Sequence, residues 1–591
     1  MHLYHDSFDI RFRNPGGALE CTASVAIRIR AIGADRVFLR FYNGSEFFYP
    51  MDMIAEELFE YTLTMPEVPM LCWYDFRAEN NEGDVLYYGN NAAMLGGTGE
   101  MSRWQPRGYQ ITVYEKGYTV PAFMREGTMY QIFPDRFYVS PAPRALPEGR
   151  ENAYLHKVWD EEPVFITGPD GKRTPELDFF GGNLKGIEEK LPYLKKLGIT
   201  VVYLNPIFMA RSNHRYDTAD YTKVDPLLGT EEDLTELCRA AEALGMRVIL
   251  DGVFSHTGDD SVYFDRYDRY HRRGACTGEK SPYYSWYTFE HFPDKYRCWW
   301  GFTSLPEINK RSPSYNRFMF SKDGVVRRWL RRGTSGWRLD VADELPMDFL
   351  RALRRAAKRE KPDSLVLGEV WEDASHKVAY GEMRCYCTGD TLDSVMNYPL
   401  REAVMNFLTF RSSAFTLCRI IQSQKENYPK PFYYSLMNLA GSHDRARAVN
   451  YLAGRTFEEL EPEERRGRRL TEEEYRLGKA RYLMMLSILC ALPGTPCVYY
   501  GDEIGMQGAP DPFCRAPYQW EGGDTEMLRK VSGILNERLA SPLLKTGDVE
   551  AEAPDDDTLI IRRFIRDGKD VFGEEQSSGE IEMVFNRRDA K

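Results

Sequence analysis

From Met129 onward the chain alternates short apolar strands with amphipathic helices, and this alternation restricts the fold more than any other feature. The run ITVVYLNP (199–206) is continuously apolar, as a strand is when both faces of its sheet are covered. Before it, LKGIEEKLPYLKKLG (184–198) places apolar residues at helical spacing and ends on glycine. TEEDLTELCRAAEALG (230–245) repeats the pattern and leads into the strand MRVILDGV (246–253). MYQIFP (129–134) and runs around 336–340, 365–369, 433–438 and 497–501 read as further strands. Such repetition predicts an α/β chain built on a (β/α)8 TIM barrel, with its site at the carboxyl ends of the strands.

The flanks differ. ASVAIRIRAI (23–32), RVFLRFY (36–42), MLCWYDFRAE (70–79) and QITVYEK (110–116) are short β-branched or aromatic runs separated by turns. They predict an N-terminal β-sandwich over residues 1–120, an accessory unit that is either structural or carbohydrate-binding. The barrel is expected over 121–530. Within it, about 257–309 is dense in aromatics (SPYYSWYTFEHFPDKYRCWWGF) and reads as a small lobe inserted after the third strand, overhanging the site. Beyond a helix after Trp520, TLIIRRFI (558–565) and EIEMVFN (580–586) suggest a short closing β domain over 531–591, brief enough that truncation is an open reading.

Composition narrows the partners. Lys and Arg total 77 against 89 Asp and Glu, so the net charge is −12, the wrong sign for neutralising phosphates. The 37 Tyr and 10 Trp suit stacking on the C–H faces of sugars, and suit a Tyr-rich core equally well. Eleven cysteines without framework spacing argue against a disulfide scaffold, and Cys385 with Cys387 is a lone CxC, a poor metal site. The opening MHLYHDSFDI shows no basic segment followed by an apolar one, and the longest apolar run (482–492) is too short for a bilayer. The expectation is a cytoplasmic protein with neither nucleic-acid nor membrane partner.

Four polar segments fall at strand ends: DGVFSH (251–256), GWRLDVADE (336–344), LGEVWE (367–372) and NLAGSHDRAR (438–447). They supply Asp340, Glu369 and Asp444, with Arg338, His256 and His443. Two carboxylates flanking one bond are what glycoside cleavage needs, one as nucleophile or base and one as a protonated acid. Arg338 precedes Asp340 by two residues and so shares its side of the strand, where a cation is expected to keep Asp340 ionised. Glu369 by contrast needs a raised pKa to stay protonated near neutrality.

These segments, with YQIFPDRF (130–137), DFFGGNLKGI (178–187), SNHRYDTADY (212–221), LPEIN (305–309) and PGTPCVYYGDEIGM (493–506), resemble the α-amylase family, glycoside hydrolase family 13. The nearest branch is that of neopullulanases, cyclomaltodextrinases and maltogenic amylases, and the resemblance spans roughly 125–525. It implies that Asp340 is the nucleophile, Glu369 the acid/base and Asp444 the carboxylate that holds the sugar's 2- and 3-hydroxyls. It implies that His256 and His443 bond the sugar in the central subsite and that Tyr216 is its aromatic platform. Trp300 and Trp371, with Trp299, are candidate platforms for further glucose units. The resemblance to VANE-type segments implies that Glu344 lies beside the acceptor subsite, although the segment here reads VADE, with Asp343 where the family carries Asn.

Position 255 is Ser where many relatives carry a calcium-ligating Asn, and the loop after Phe137 lacks the Asn/Asp-rich run of other calcium sites. No cofactor is therefore expected, and calcium is not predicted as a requirement. The implied reaction is retaining hydrolysis of α-1,4 bonds, with some α-1,6 cleavage, in starch-derived oligosaccharides, pullulan or cyclodextrins. The alternatives are an oligo-1,6-glucosidase-like enzyme and a non-catalytic glucan-binding protein; LPEIN and the N-terminal β unit count against the first, the three carboxylates against the second. A homodimer is compatible with the resemblance, since relatives place this N-terminal domain over a partner's active site.

Overall fold

The computed structural model describes residues 1–140, 146, 150, 152–168, 171–271 and 273–590. The N-terminal part is a sandwich of two sheets. One pairs Ser24–Ile32 with Leu58–Thr64, and the other centres on Met70–Glu79 between Arg36–Tyr42 and Tyr109–Tyr114. Alternate residues Val25, Ile27, Ile29 and Ala31 turn inward against Leu39, Phe41 and Phe76, as the two-residue period of a strand requires.

Eight parallel strands follow: β1 (Met129–Ile132), β2 (Val201–Leu204), β3 (Arg247–Gly252), β4 (Gly336–Leu339), β5 (Leu365–Gly368), β6 (Ser394–Val395), β7 (Met437–Leu439) and β8 (Thr495–Tyr499). Each pairs with the next in chain order, β8 returns to β1, and a parallel bridge between Met396 and Met437 joins β6 to β7. The sheet is thus a closed (β/α)8-type barrel. Its floor is packed by Met129, Val201, Tyr203, Ile249, Leu367 and Met437, so the barrel is a filled core rather than a pore. Outside, helices such as Glu231–Ala243 bury Leu234, Leu237, Cys238 and Ala241 on one stripe. A Thr230–Asp233 capping box starts that helix.

The sequence reading is corrected in two places. The run at 433–438 begins inside the helix Lys430–Tyr433, and the strand itself is Met437–Leu439, because the aromatic cluster there packs at helical spacing. Strand β6 went unread. It has two residues, and the connection before it, 369–393, carries no helix, so the alternation is interrupted there. The N-terminal sandwich lies over this connection. Glu115 N–H donates to Thr388 O at 2.9 Å, Tyr118 OH to Leu392 O at 3.0 Å, and Thr112 Oγ1 to Asn427 O at 2.6 Å. A buried ion pair, Arg13 Nη1 to Glu426 Oε1 at 2.8 Å, completes the seam.

After β3 the chain forms an aromatic lobe with a small hairpin, Phe289–His291 with Lys295–Tyr296. Phe264, Tyr287, Phe289 and Tyr296 pack together there, continuous with the core outside the barrel strands. The helix Thr525–Ala540 runs across residue 530 and packs on the barrel, and a three-stranded antiparallel sheet follows: Asp548–Asp555, Thr558–Ile565 and Gly579–Asn586. No helix among the described residues is long and apolar enough to cross a membrane, and none of the eleven cysteines is paired.

Candidate active site

Register builds the centre. In β3–β4–β5, Asp251 lies opposite Arg338 and Leu339 opposite Gly368, so the next residues, Asp340 and Glu369, emerge side by side at the carboxyl rim. Arg338 rises from the barrel floor among them. Its Nη1 donates to Asp251 Oδ1 at 2.8 Å and Asp340 Oδ1 at 3.0 Å, and its Nη2 lies 2.7 Å from Glu369 Oε2. The guanidinium therefore sits on the same side as Asp340 and bridges it to Glu369.

Glu369 has two further donors. Trp371 Nε1–H reaches Oε1 at 3.1 Å, and the Val341 backbone N–H reaches Oε2 at 2.8 Å. Val341 adopts φ 34°, ψ 72°, left-handed backbone that a β-branched residue strongly disfavours. That turn, directly after Asp340, aims the amide at the neighbouring carboxyl; strain of this kind costs about 1–3 kcal/mol and collects at functional sites. Trp371 itself is stacked on Tyr398 with ring centroids 4.0 Å apart, which fixes its indole N–H on Glu369.

Burial raises the pKa of Asp340 well above the usual carboxylate range; Arg338 opposes this, while Glu369, Asp251 and Asp444 add to it. Burial likewise raises Glu369, with Arg338 again opposing and Asp444 reinforcing. Arg338 lowers Asp340 as expected, but burial outweighs it, because one cation faces three buried carboxyls.

The rest of the centre forms a chain of hydrogen bonds. Gln131 Nε2–H donates to His443 Nδ1 at 2.9 Å, which leaves the proton on Nε2, 2.7 Å from Tyr216 OH. Tyr216 OH donates to Asp251 Oδ2 at 2.9 Å and accepts from Asn205 Nδ2 at 3.0 Å, and its ring lies parallel to His443. Burial pushes His443 well below its usual pKa and His256 down to about 3, so both are neutral. His256 Nε2 meets Tyr216 O at 3.1 Å, and Ser255 Oγ meets its Nδ1 at 3.0 Å, so the Ser255 hydroxyl orients His256. Asp444 stands at the opening, partly exposed, 3.2 Å from His443 Nε2 and 3.5 Å from Arg515 Nη2.

The structure thus brings together Asp340, Glu369, Arg338, Trp371, Tyr216, His256, His443 and Asp444. Glu344 and Trp300 lie apart at the rim, bonded to each other through the Trp300 indole N–H and Glu344 Oε1 at 3.0 Å. Trp300 stacks on Trp299 at 4.4 Å, and Trp299 packs on His256 at 5.2 Å. Asp343 is engaged by Tyr386 OH at 2.5 Å and Lys377 Nζ at 3.2 Å; an Asn there would forfeit the ion pair. Asp251, Tyr203, Gln131 and Asn205 were missed as site residues. Asp251 could have been found, since it ends β3 within DGVFSH, whereas Tyr203, whose OH donates to Asp251 Oδ2 at 2.6 Å, hides in the apolar run VVYL.

Residues 131–536 match the family model described as alpha amylase, catalytic domain. An amylopullulanase of Thermoanaerobacterium saccharolyticum is 36% identical over 99% of this chain and 48% of its own length. A cyclomaltodextrinase of Geobacillus thermopakistaniensis is 33% identical over 80% of this chain and 72% of its own. A solved cyclomaltodextrinase superposes with a TM-score of 0.66 at 25% identity, covering 98% of this chain and 90% of that one. The chain spans between a third and a half of the length of the three amylopullulanases it matches.

Proposed function

The chain belongs to the α-amylase family, and from that premise we propose that it is a retaining α-glucan hydrolase cleaving α-1,4 bonds, with some α-1,6 cleavage, in starch-derived oligosaccharides, pullulan or cyclodextrins. The observation that carries this reading is the guanidinium of Arg338 spanning Asp340 and Glu369 at the ends of adjacent strands. In the first step an Asp340 oxygen attacks the anomeric carbon while Glu369 gives its proton to the glycosidic oxygen, so the carbon–oxygen bond breaks and the leaving sugar departs as an alcohol. In the second, Glu369 as carboxylate takes a proton from water, whose oxygen displaces Asp340 from that carbon. The productive proton count puts the shared proton on Glu369 and leaves Asp340 charged.

Tyr216, His256, His443 and Asp444 line the side of the dyad nearest β2, β3 and β7, where they suit the ring and hydroxyls of the glucosyl unit being transferred. Acid, base and nucleophile are all side chains in this reading and, together with the Ser255 hydroxyl's contact with His256, they support a reaction that does not require calcium. The eleven unpaired cysteines support a reducing, cytoplasmic setting. Tyr42, Phe47, Phe48, Met53 and Ile54 are all exposed on the sandwich and support self-association through that unit. Product analysis on soluble starch, pullulan and β-cyclodextrin, with the anomeric configuration followed by proton NMR, tests the proposal. α-Configured first products are expected; β-configured ones, or no product from any substrate, would overturn it.

A further inference from the structure

The loops that follow β3, β4 and β5 meet at one carboxylate. Glu344 Oε1 accepts the Trp300 indole N–H at 3.0 Å and also the Tyr380 hydroxyl. Trp300 is at the tip of the inserted lobe, and Tyr380 is at the turn of a small hairpin, Val378–Ala379 with Glu382–Met383. Both residues have positive φ, 47° and 52°, a region that disfavours bulky side chains. Such backbone persists only where its surroundings hold it. Here the base of the hairpin is held as well, by Lys377 Nζ on Asp343 Oδ2 at 3.2 Å and by Arg384 Nη2 on Asp343 O at 3.1 Å.

Despite these ties the rings remain open to solvent, Trp300 at 68% and Tyr380 at 69% exposure. Two apolar ring faces with a carboxylate between them match a pyranose, which offers C–H faces to the rings and hydroxyl donors to the oxygen. The cluster rises from the loops after β3, β4 and β5, which strand order sets apart from the end of β7 that carries His443 and Asp444. A sugar departing past Glu369 toward those loops would meet both rings.

We propose that Tyr380 is a specificity-determining residue that, together with Trp300, binds the glucosyl unit on the leaving and acceptor side, with Glu344 positioning both rings. This rests on the hydrolase reading above. A sugar held there competes with water for the glucosyl-enzyme: its hydroxyl oxygen attacks the anomeric carbon, the bond to Asp340 breaks, and Glu369 takes the hydroxyl proton. Tyr380 therefore sets the partition between transfer and hydrolysis.

The test compares wild type, Tyr380→Phe and Tyr380→Ala on maltohexaose and on α-maltosyl fluoride, whose fluoride leaving group is too small to reach Tyr380. With Tyr380→Ala, the ratio of kcat/KM for maltohexaose to that for the fluoride should fall about five- to tenfold, and transfer products from concentrated maltotriose should fall by a similar factor. Tyr380→Phe keeps the ring, loses its bond to Glu344, and should lie between. A folded Tyr380→Ala protein with both ratios within about twofold of wild type would overturn this inference alone. A wild-type protein that turns over none of these substrates would instead defeat the hydrolase reading.

Discussion

Asp251→Asn is the most informative perturbation of the proton balance at the centre. Asp251 and Asp340 accept from the same nitrogen of Arg338, at 2.8 and 3.0 Å, so their oxygens are no further apart than those two bonds laid end to end. Two charges ~6 Å apart at an effective dielectric of ~20 repel by about 3 kcal/mol, or roughly two pKa units. Asp251 is among the charges that raise Asp340, whereas the carboxylate that chiefly raises Glu369 is Asp444. Neutralising Asp251 should lower the pKa of Asp340 by about one to two units, helped by the share of Arg338 that is released. With Asp340 as the proposed carboxylate nucleophile and Glu369 as the proposed acid, the acidic limb of kcat/KM should move to lower pH by that amount, and the alkaline limb should move less. The assay is a pH profile on α-maltosyl fluoride and maltotriose, with the melting temperature as a check on folding. The Asn oxygen still accepts from Tyr203 and Tyr216, so gross loss of structure is not expected. An acidic limb that stays put in a folded variant would refute the electrostatic reasoning.

Asp340→Asn should cut kcat by about 10⁴-fold or more while calorimetry still registers maltohexaose binding; full turnover would remove the nucleophile assignment. Glu369→Gln should lose maltotriose hydrolysis yet keep the glycosylation burst on α-maltosyl fluoride, which needs no proton to leave; equal loss on both would argue against an acid role. Burial lowers His256 to about 3 from 6.5, so its contribution to stability is full above pH ~6.5 and is lost as pH falls toward 3. Differential scanning fluorimetry should accordingly show a shallower drop in Tm between pH 7 and 4 for His256→Gln than for wild type; parallel curves would mean that His256 is not held neutral.

Much of the fold was legible because a strand buried on both faces is largely apolar, as VVYL in β2 and LVLG in β5 are, and such runs alternate with helices. β6 could not, since two residues carry no period and no helix precedes them. Asp340 and Glu369 were legible because polar residues ending apolar strands stand out. Gln131, Tyr203 and Asn205 were not, since they belong to or directly follow apolar strands and their partners come from other parts of the chain. The sign of the Asp340 shift was missed for a related reason. Arg338 is a near neighbour in sequence, whereas Asp251 and Glu369 reach the same guanidinium only once β3, β4 and β5 are in register. Tyr380 lies in a hairpin whose link to Glu344 spans 36 residues, beyond any local pattern.

The gap in the helical ring between β5 and β6 changes what the N-terminal sandwich is. A barrel lacking one covering element would show two strands and the loop bearing the acid's neighbours to water. The sandwich closes that opening through Glu115, Tyr118 and Thr112, on the connection itself and on the helix end beside it. Seen from the barrel, this stretch of β structure is a wall panel supplied from upstream in the chain rather than a detachable module. Swapping it between relatives would therefore exchange part of the catalytic domain's outer layer, and a barrel trimmed at residue 120 would begin with a hole in its side.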